Sequence, residues 1–360
     1  MQLSPRALNR TLLLRQHLLG RSALSPLDMV DHLVGLQAQD NLPPYLSLAA
    51  RIERFDPRDL SSLIESREVV RFLTMRGTVH VLTRADARQL RTWVQPTLDR
   101  LSHGNQLSRP AAHVGADQVR TATEELLAEG PVPFGTLCER LHAHLPQAPA
   151  KALGHVARER VPMLQVPPRG LWRRSGGVVY ALATQWLGEP MTEPDLPALV
   201  RRYLRAYGPA RPADMTTWSS VTRLGPVFAA MTDELETYTD EAGKVLYDVP
   251  GGPIADEDTD APLRLLGTYD NLWLSHAGRD RVSSTEQRRR WTGPNGGVGN
   301  VLLVDGQLQG LWSVQHGRVV LDPWRRLSRA ERGDADQEVA RVEALLAVPA
   351  GALPREGGGG

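Results

Sequence analysis

Cysteine is nearly absent from this 360-residue chain: Cys138 is the single one, so no disulfide forms within it. It sits with Leu137, Leu141 and Leu145 at helical spacing, company that predicts an inert core thiol rather than a nucleophile. Lysine is almost as scarce. Only Lys151 and Lys244 occur, and every other basic residue is arginine, the side chain that forks bidentately onto phosphate; a GC-rich coding sequence explains the bias equally well. Strong charge of one sign is missing too. With 42 basic against 41 acidic residues and a net charge of +1, any nucleic-acid surface must be local. No apolar run approaches the roughly 18 residues that span a bilayer. The arginine-interrupted start, MQLSPRALNRTLLLRQ, lacks the pattern of a secretion signal. These two absences predict a cytoplasmic protein with no membrane partner.

What is present is a helix-rich globular pattern. At 41% hydrophobic and 23% charged residues, the chain is ordinary in composition and long enough for two or three domains. Periodicity predicts helices over 5–19, 25–37 and 57–66 before a strand at 78–82. It predicts helices over 117–129, 133–145 and 149–160 before strands at 163–166, 171–174 and 178–182. A third series has helices from Leu196, over 213–220 and over 226–231, then strands at 235–238 and 245–249. Gly- and Pro-rich linkers fall at 103–114 and 188–197.

Three helices followed by a strand pair is the winged-helix order. The predicted fold is therefore α+β, mainly α. It has three tandem winged-helix units with β-hairpin wings at 1–110, 111–190 and 191–360, the last with a C-terminal β-rich segment and a disordered Gly tail. Two-residue turns at Asp305-Gly306 and His316-Gly317 and a helix over 335–346 belong to that segment.

Familiar catalytic signatures are also missing. Gly297-Val298-Gly299 lacks the third glycine of a dinucleotide fingerprint, Gly243-Lys244 lacks the first glycine of a phosphate-binding loop, and no Gly-x-Ser-x-Gly elbow occurs. His142 and His144 point about 200° apart on a helix, so no metal is expected. No cofactor is expected. The unusual segment is Gln37-Ala38-Gln39-Asp40 before Pro43-Pro44, read as two amides closing a helix that a double proline forbids from continuing. In regular helix the two amides diverge; at a bent terminus both face one cleft. The plain alternative is a polar helix end that binds loose carbonyls.

LVGLQAQD, RFLTMRGTVHVLTRAD, RRYLRAYGPARPADMTTWS and LLGTYDNLWLSHAGRDRV together resemble the AlkZ family of bacterial DNA glycosylases, over almost the whole chain. The resemblance implies three winged-helix domains around a concave DNA-binding face. Gln37-Ala38-Gln39 matches the family's Gln-x-Gln signature with an apolar middle residue, whereas a related branch carries Gln-x-Asp. It also implies excision of N7-alkylated purines, unhooking of interstrand crosslinks, and self-resistance in producers of DNA-alkylating natural products.

On that resemblance Gln37 and Gln39 are the expected catalytic residues. The expected partner is double-stranded DNA bearing alkylated purines or crosslinks, with no obligate protein partner. Arg76, Thr78 and His80 alternate onto one strand face and are placed beside the glutamines or on a polar exterior. Asn271, His276 and Arg279 are placed as DNA-binding or supporting residues, and Arg288, Arg289 and Arg290 as a phosphate clamp or a solvated charge run. Hairpins at the two Gly turns are candidates for insertion into a groove, and an open cleft with little base flipping is expected. The alternatives from other classes are a non-enzymatic winged-helix transcription regulator and a protein that sequesters the alkylating toxin.

Overall fold

The first helix, Pro5–Arg15, starts where Ser4 and Pro5 dictate. The Ser4 hydroxyl accepts the Ala7 N–H, and proline fills a first-turn position whose nitrogen needs no partner. In the computed structural model, which describes residues 1–293, 296–297 and 299–351, a Ser or Asp cap with proline also opens Pro26–His32, Pro57–Glu65 and Leu196–Tyr207.

The second helix ends earlier than its periodicity predicts. After His32 the chain takes positive φ at Val34 (51°) and Gly35 (96°) and becomes a short strand, Leu36–Gln37. Gly35 is required there, because a Cβ would lie 2.3 Å from the Leu82 side chain and 3.1 Å from the Val81 carbonyl. The glutamines thus lie on and just past a strand, not at a helix end. Pro43 and Pro44, read as a stop, instead open the helix Pro43–Arg51, since proline is tolerated in a first turn.

Leu36–Gln37 edges a six-stranded antiparallel sheet that continues through Val79–Thr83, Val69–Leu73, Met163–Gln165, Val179–Leu182 and Val132–Pro133. Its register pairs Gln37 with His80 and Phe72 with Leu164. Strands of the first two stretches therefore share one sheet across the 110/111 boundary, where separate hairpins were expected. Residues 171–174 form turns instead of the expected strand. The 21-residue helix Arg84–Gly104, with Pro96 inside it, occupies the start of the expected linker at 103–114.

Ala116–Leu127, Phe134–His144 and Ala150–Arg160 surround a core of their own, from Ala111 to Tyr180. Cys138 is buried in this helical bundle and burial pushes its thiol up, away from the reactive thiolate. A second, larger core joins the first stretch to the third and to the C-terminal segment. The third stretch comprises Leu196–Tyr207, Pro212–Ser219, Gly225–Ala230 and the strand pair Glu236–Thr239 and Val245–Asp248. A four-stranded sheet follows, ordered Arg318–Pro323, Gln307–Gln315, Asn300–Val304 and Arg264–Leu266, then the helix Arg329–Ala347.

Its two turns sit at Asp305-Gly306 and His316-Gly317, all four residues with positive φ as two-residue hairpins require. The fold is a mixed α/β arrangement with several small antiparallel sheets. Val298 and the glycine-rich end at 352–360 lie outside the described residues. No described helix is long and apolar enough to cross a membrane.

Candidate active site

Extended chain puts residues i and i+2 on one side and i+1 on the other. Ala38 is accordingly buried, its N–H donating to the Val79 carbonyl at 2.7 Å and its own carbonyl accepting from Arg71 Nη2 at 2.8 Å. Gln37 and Gln39 project from the opposite side. The strand thus sends both amides to one side without a frayed helix end, but only Gln39 borders a cleft, and Gln37 stays buried behind it.

Gln37 is buried. Its carbonyl Oε1 accepts from Arg76 Nη2 at 2.9 Å, and the same nitrogen donates its other proton to His80 Nε2 at 2.9 Å. Arg76 reaches this position because it sits in a turn, Met75–Gly77, with φ of 57°, and not in the strand that follows. Its Nη1 donates to the Trp218 carbonyl. No carboxylate pairs with Arg76 among the described residues, and burial lowers its guanidinium to about 10, still protonated at neutral pH. His80 accepts at Nε2 from Arg76, so its proton is on Nδ1, donated to the Thr78 carbonyl at 3.0 Å. Burial and the Arg76 charge hold that ring neutral, well below its ordinary pKa.

Gln39 faces outward. Its Oε1 accepts the Val79 N–H at 3.0 Å, which fixes the amide while leaving it exposed at the mouth of a cleft of about 500 Å³. That cleft is bordered also by Arg76, Arg100, Asn105, Arg158 and Glu159, and among the described residues no Phe, Tyr or Trp lines it. Glu159 went unnoticed in the sequence because it sits in an unremarkable amphipathic helix. Burial raises its pKa, opposed by a hydrogen bond from Asn105 Nδ2 to Oε1 at 2.7 Å, and Oε2 has no hydrogen-bond partner among the described residues. Another cavity, of about 450 Å³ between Ile52 and Arg341, holds neither glutamine.

The remaining expected residues divide. The Thr78 hydroxyl closes the turn by donating to the Met75 carbonyl at 3.1 Å, and Thr78 meets His80 only through its backbone carbonyl. Asn271 is buried one step behind the site, donating at 2.8 Å to the Gly35 carbonyl and at 2.8 Å to the Tyr207 hydroxyl. Tyr207 in turn donates to the Leu33 carbonyl at 2.6 Å, so both brace the turn that delivers Gln37. His276 is buried against the Tyr207 carbonyl at 3.0 Å, its pKa pushed down by burial, and reaches no surface.

Arg279 is half-buried, its pKa lowered by burial and by nearby Arg288. On the helix Thr285–Trp291, Arg288 is committed to Asp280 at 3.0 Å and to the Ser283 carbonyl at 2.7 Å. Arg290 lies over the Trp324 ring, 4.7 Å from its centre, while Arg289 is exposed. None of these four lines the Gln39 cleft. Of the two hairpin turns, Asp305-Gly306 is docked on the first helix, with Arg6 and Arg10 paired to Asp305 and Asn9 donating to the Gly306 carbonyl at 2.8 Å. It is not free to enter a groove. His316-Gly317 is exposed.

Arg71 was missed as well, although a lone charge in the otherwise apolar strand Val69–Leu73 is a visible signal. Among the described residues no group of three or more His, Cys, Asp or Glu side chains is placed to hold a metal.

The AlkZ-like DNA glycosylase family model matches residues 30–345. An interstrand DNA cross-link repair glycosylase from Streptomyces sahachiroi is 26% identical over 355 residues, covering 91% of this chain and 92% of the relative. The solved structure of Streptomyces sahachiroi DNA glycosylase AlkZ has the same fold, with a TM-score of 0.77 at 23% identity over 97% of this chain and 98% of that one. With the glutamine pair and the cleft in place, the chain belongs to the AlkZ-like family of DNA glycosylases.

Proposed function

We propose that this glycosylase hydrolyses the N-glycosidic bond of N7-alkylated purines, interstrand crosslinks among them, and so gives self-resistance to a DNA-alkylating natural product. The three helical stretches with their strand pairs act as winged-helix units presenting a concave face to the duplex, and the His316-Gly317 hairpin is the one available to reach a groove. The observation that carries this reading is the placement of Gln39 at an open cleft above a Gln37 locked by Arg76 and His80.

A neutral amide is too weak a base to abstract a proton from water fully. The lesion removes that need. N7 alkylation leaves the purine positively charged, so the bond to C1′ breaks with its electron pair moving to the base, which departs neutral. Water bonds to C1′ of the oxocarbenium-like sugar and its proton goes to solvent. The Gln39 carbonyl keeps one lone pair beyond the Val79 N–H to orient that water, and Gln37, fixed by Arg76, braces the sugar. An unmodified, neutral base leaves far too slowly, which supplies selectivity. A second reading gives the proton to Glu159, whose raised pKa and unpartnered oxygen suit a general base.

The test incubates duplex DNA carrying N7-methylguanine with the unsubstituted protein and with Gln37→Ala, Gln39→Ala, the double variant and Glu159→Gln, and measures released base and alkali-labile sites. Each glutamine substitution is expected to slow release about 100-fold, the loss seen when one transition-state-stabilising group is removed, with DNA affinity changed less than about threefold. A double alanine variant that works at the original rate overturns the glutamine assignment. Loss of release in Glu159→Gln alone transfers the role to the carboxylate.

A further inference from the structure

The cleft beneath Gln39 has a wall that the proposed chemistry does not use. Leu98, Leu101 and Leu107 line it, and Leu101 and Leu107 are 44% and 58% exposed, among the few large apolar side chains so open to water. The wall begins at the site itself. A Cβ built on Gly77, the neighbour of Arg76, would lie 3.1 Å from Leu101 Cδ1 and 3.9 Å from Leu98 Cδ2. Leu101 lies in the last turn of the helix Arg84–Gly104 and Leu107 on the turn after it, and neither belongs to a hydrophobic core.

His155 and Arg158 border the same cleft, His155 edge-on to Phe134 with ring centres 5.8 Å apart and the Arg158 guanidinium 6.0 Å from that ring centre, and neither side chain hydrogen-bonds within the described chain. Planar cationic or aromatic edges around an apolar floor suit a flat apolar group.

A face that receives only duplex DNA is polar and strongly positive. Exposed leucines there gain nothing from phosphate or sugar, but burying them against an apolar ligand releases water. A volume of about 500 Å³ falls within the range of small-molecule pockets. Of the parts of an alkylated purine in a duplex, only the alkyl substituent is apolar and variable in size.

We propose that Leu98, Leu101 and Leu107, with His155 and Arg158, form a subsite for the apolar or aromatic substituent carried by the alkylated base. The subsite sets selectivity for bulky over small adducts. This inference rests on the reading that N7-alkylated purines are the substrate.

Release of N7-methylguanine and of N7-benzylguanine from otherwise identical duplexes is measured for the unsubstituted protein, Leu107→Ser, Leu101→Ser and the double variant. The double variant is expected to raise KM for the benzyl substrate about tenfold, in keeping with the discrimination a few buried methylenes supply, while the methyl substrate changes less than about twofold. Leu107→Ser alone, on a loop with no core contact to lose, is expected to show part of the same selective shift. Equal changes on both substrates, or none on either, overturn the subsite. If the unsubstituted protein releases neither base, the substrate reading fails and the subsite with it; release of both without a selective shift removes the subsite alone.

Discussion

Two sets of buried arginines divide the molecule. Arg15 and Arg51 each meet a buried carboxylate, Asp248 at 2.6 Å and Asp270 at 2.7 Å, and these pairs tie the N-terminal helices to segments more than 200 residues away. Arg71, Arg76 and Arg91, around and behind the Gln-x-Gln segment, have no carboxylate within ion-pair distance among the described residues. They hold backbone carbonyls and amide oxygens instead, and burial lowers all three to about 10. The first set neutralises charge and closes the tertiary structure. The second leaves positive charge without a carboxylate partner, Arg76 at the border of the Gln39 cleft and Arg71 and Arg91 buried behind it.

The comparison breaks most sharply at Asp270. Asp270→Ala leaves Arg51 buried and unpaired, which costs about 3–5 kcal/mol; denaturant unfolding reads the loss, and replacing Arg51 and Asp270 together with apolar residues is expected to recover much of it. In the carboxylate-free set the expected effect falls on chemistry. Arg76→Lys keeps the charge but not the fork that reaches Gln37, Trp218 and His80. It is expected to lower kcat for base release about tenfold, ~1.4 kcal/mol, with KM unchanged; equal loss in KM would mark Arg76 as a DNA contact instead.

Acid reaches the buried histidines before it reaches the carboxylate paired with Arg51. His80, His276 and His17 have pKa values lowered by burial, so below about pH 6.5, the ordinary histidine value, the unfolded chain binds protons that the folded one refuses. Their contribution is present above that pH and is lost as pH falls. Asp270 behaves otherwise. Burial opposes its ionisation, but Arg51, the Leu272 N–H and the Ser47 hydroxyl outweigh it and hold the carboxyl below its usual value of 3.8. Thermal unfolding is therefore expected to show Tm falling steadily from about pH 6.5 down to about pH 4, where His17 begins to protonate in the folded chain, with the Arg51–Asp270 pair intact over that range and adding its own loss only below about pH 4. The smallest expected effect is at the surface. Arg289→Ala is expected to reduce the slope of log affinity against log salt by about one, uniformly across DNA sequences.

Elements set by neighbouring residues were legible in the chain. The Ser25-Pro26 and Asp56-Pro57 starts and the turns at 305–306 and 316–317 all lie where expected, because a cap or a tight turn is decided within four residues. Gln37-Ala38-Gln39 was legible as a motif and misread as structure, since a two-residue strand has no periodicity to detect. The helix Pro43–Arg51 was missed for the opposite reason, its prolines being read as a barrier when they are its first turn.

By itself the sequence determined the helical content, the caps and turns, the lack of disulfides, and a glutamine pair whose family signature needs no partner to be recognised. Only the tertiary structure decided that Gln37 meets His80 across a sheet, that Arg76 swings from a left-handed turn onto both, and that Asn271 props the Gly35 carbonyl from 236 residues away. The physical reason is range: caps and turns are decided by bonds between near neighbours, whereas strand register and buried polar networks are chosen by which distant groups satisfy one another once water is excluded.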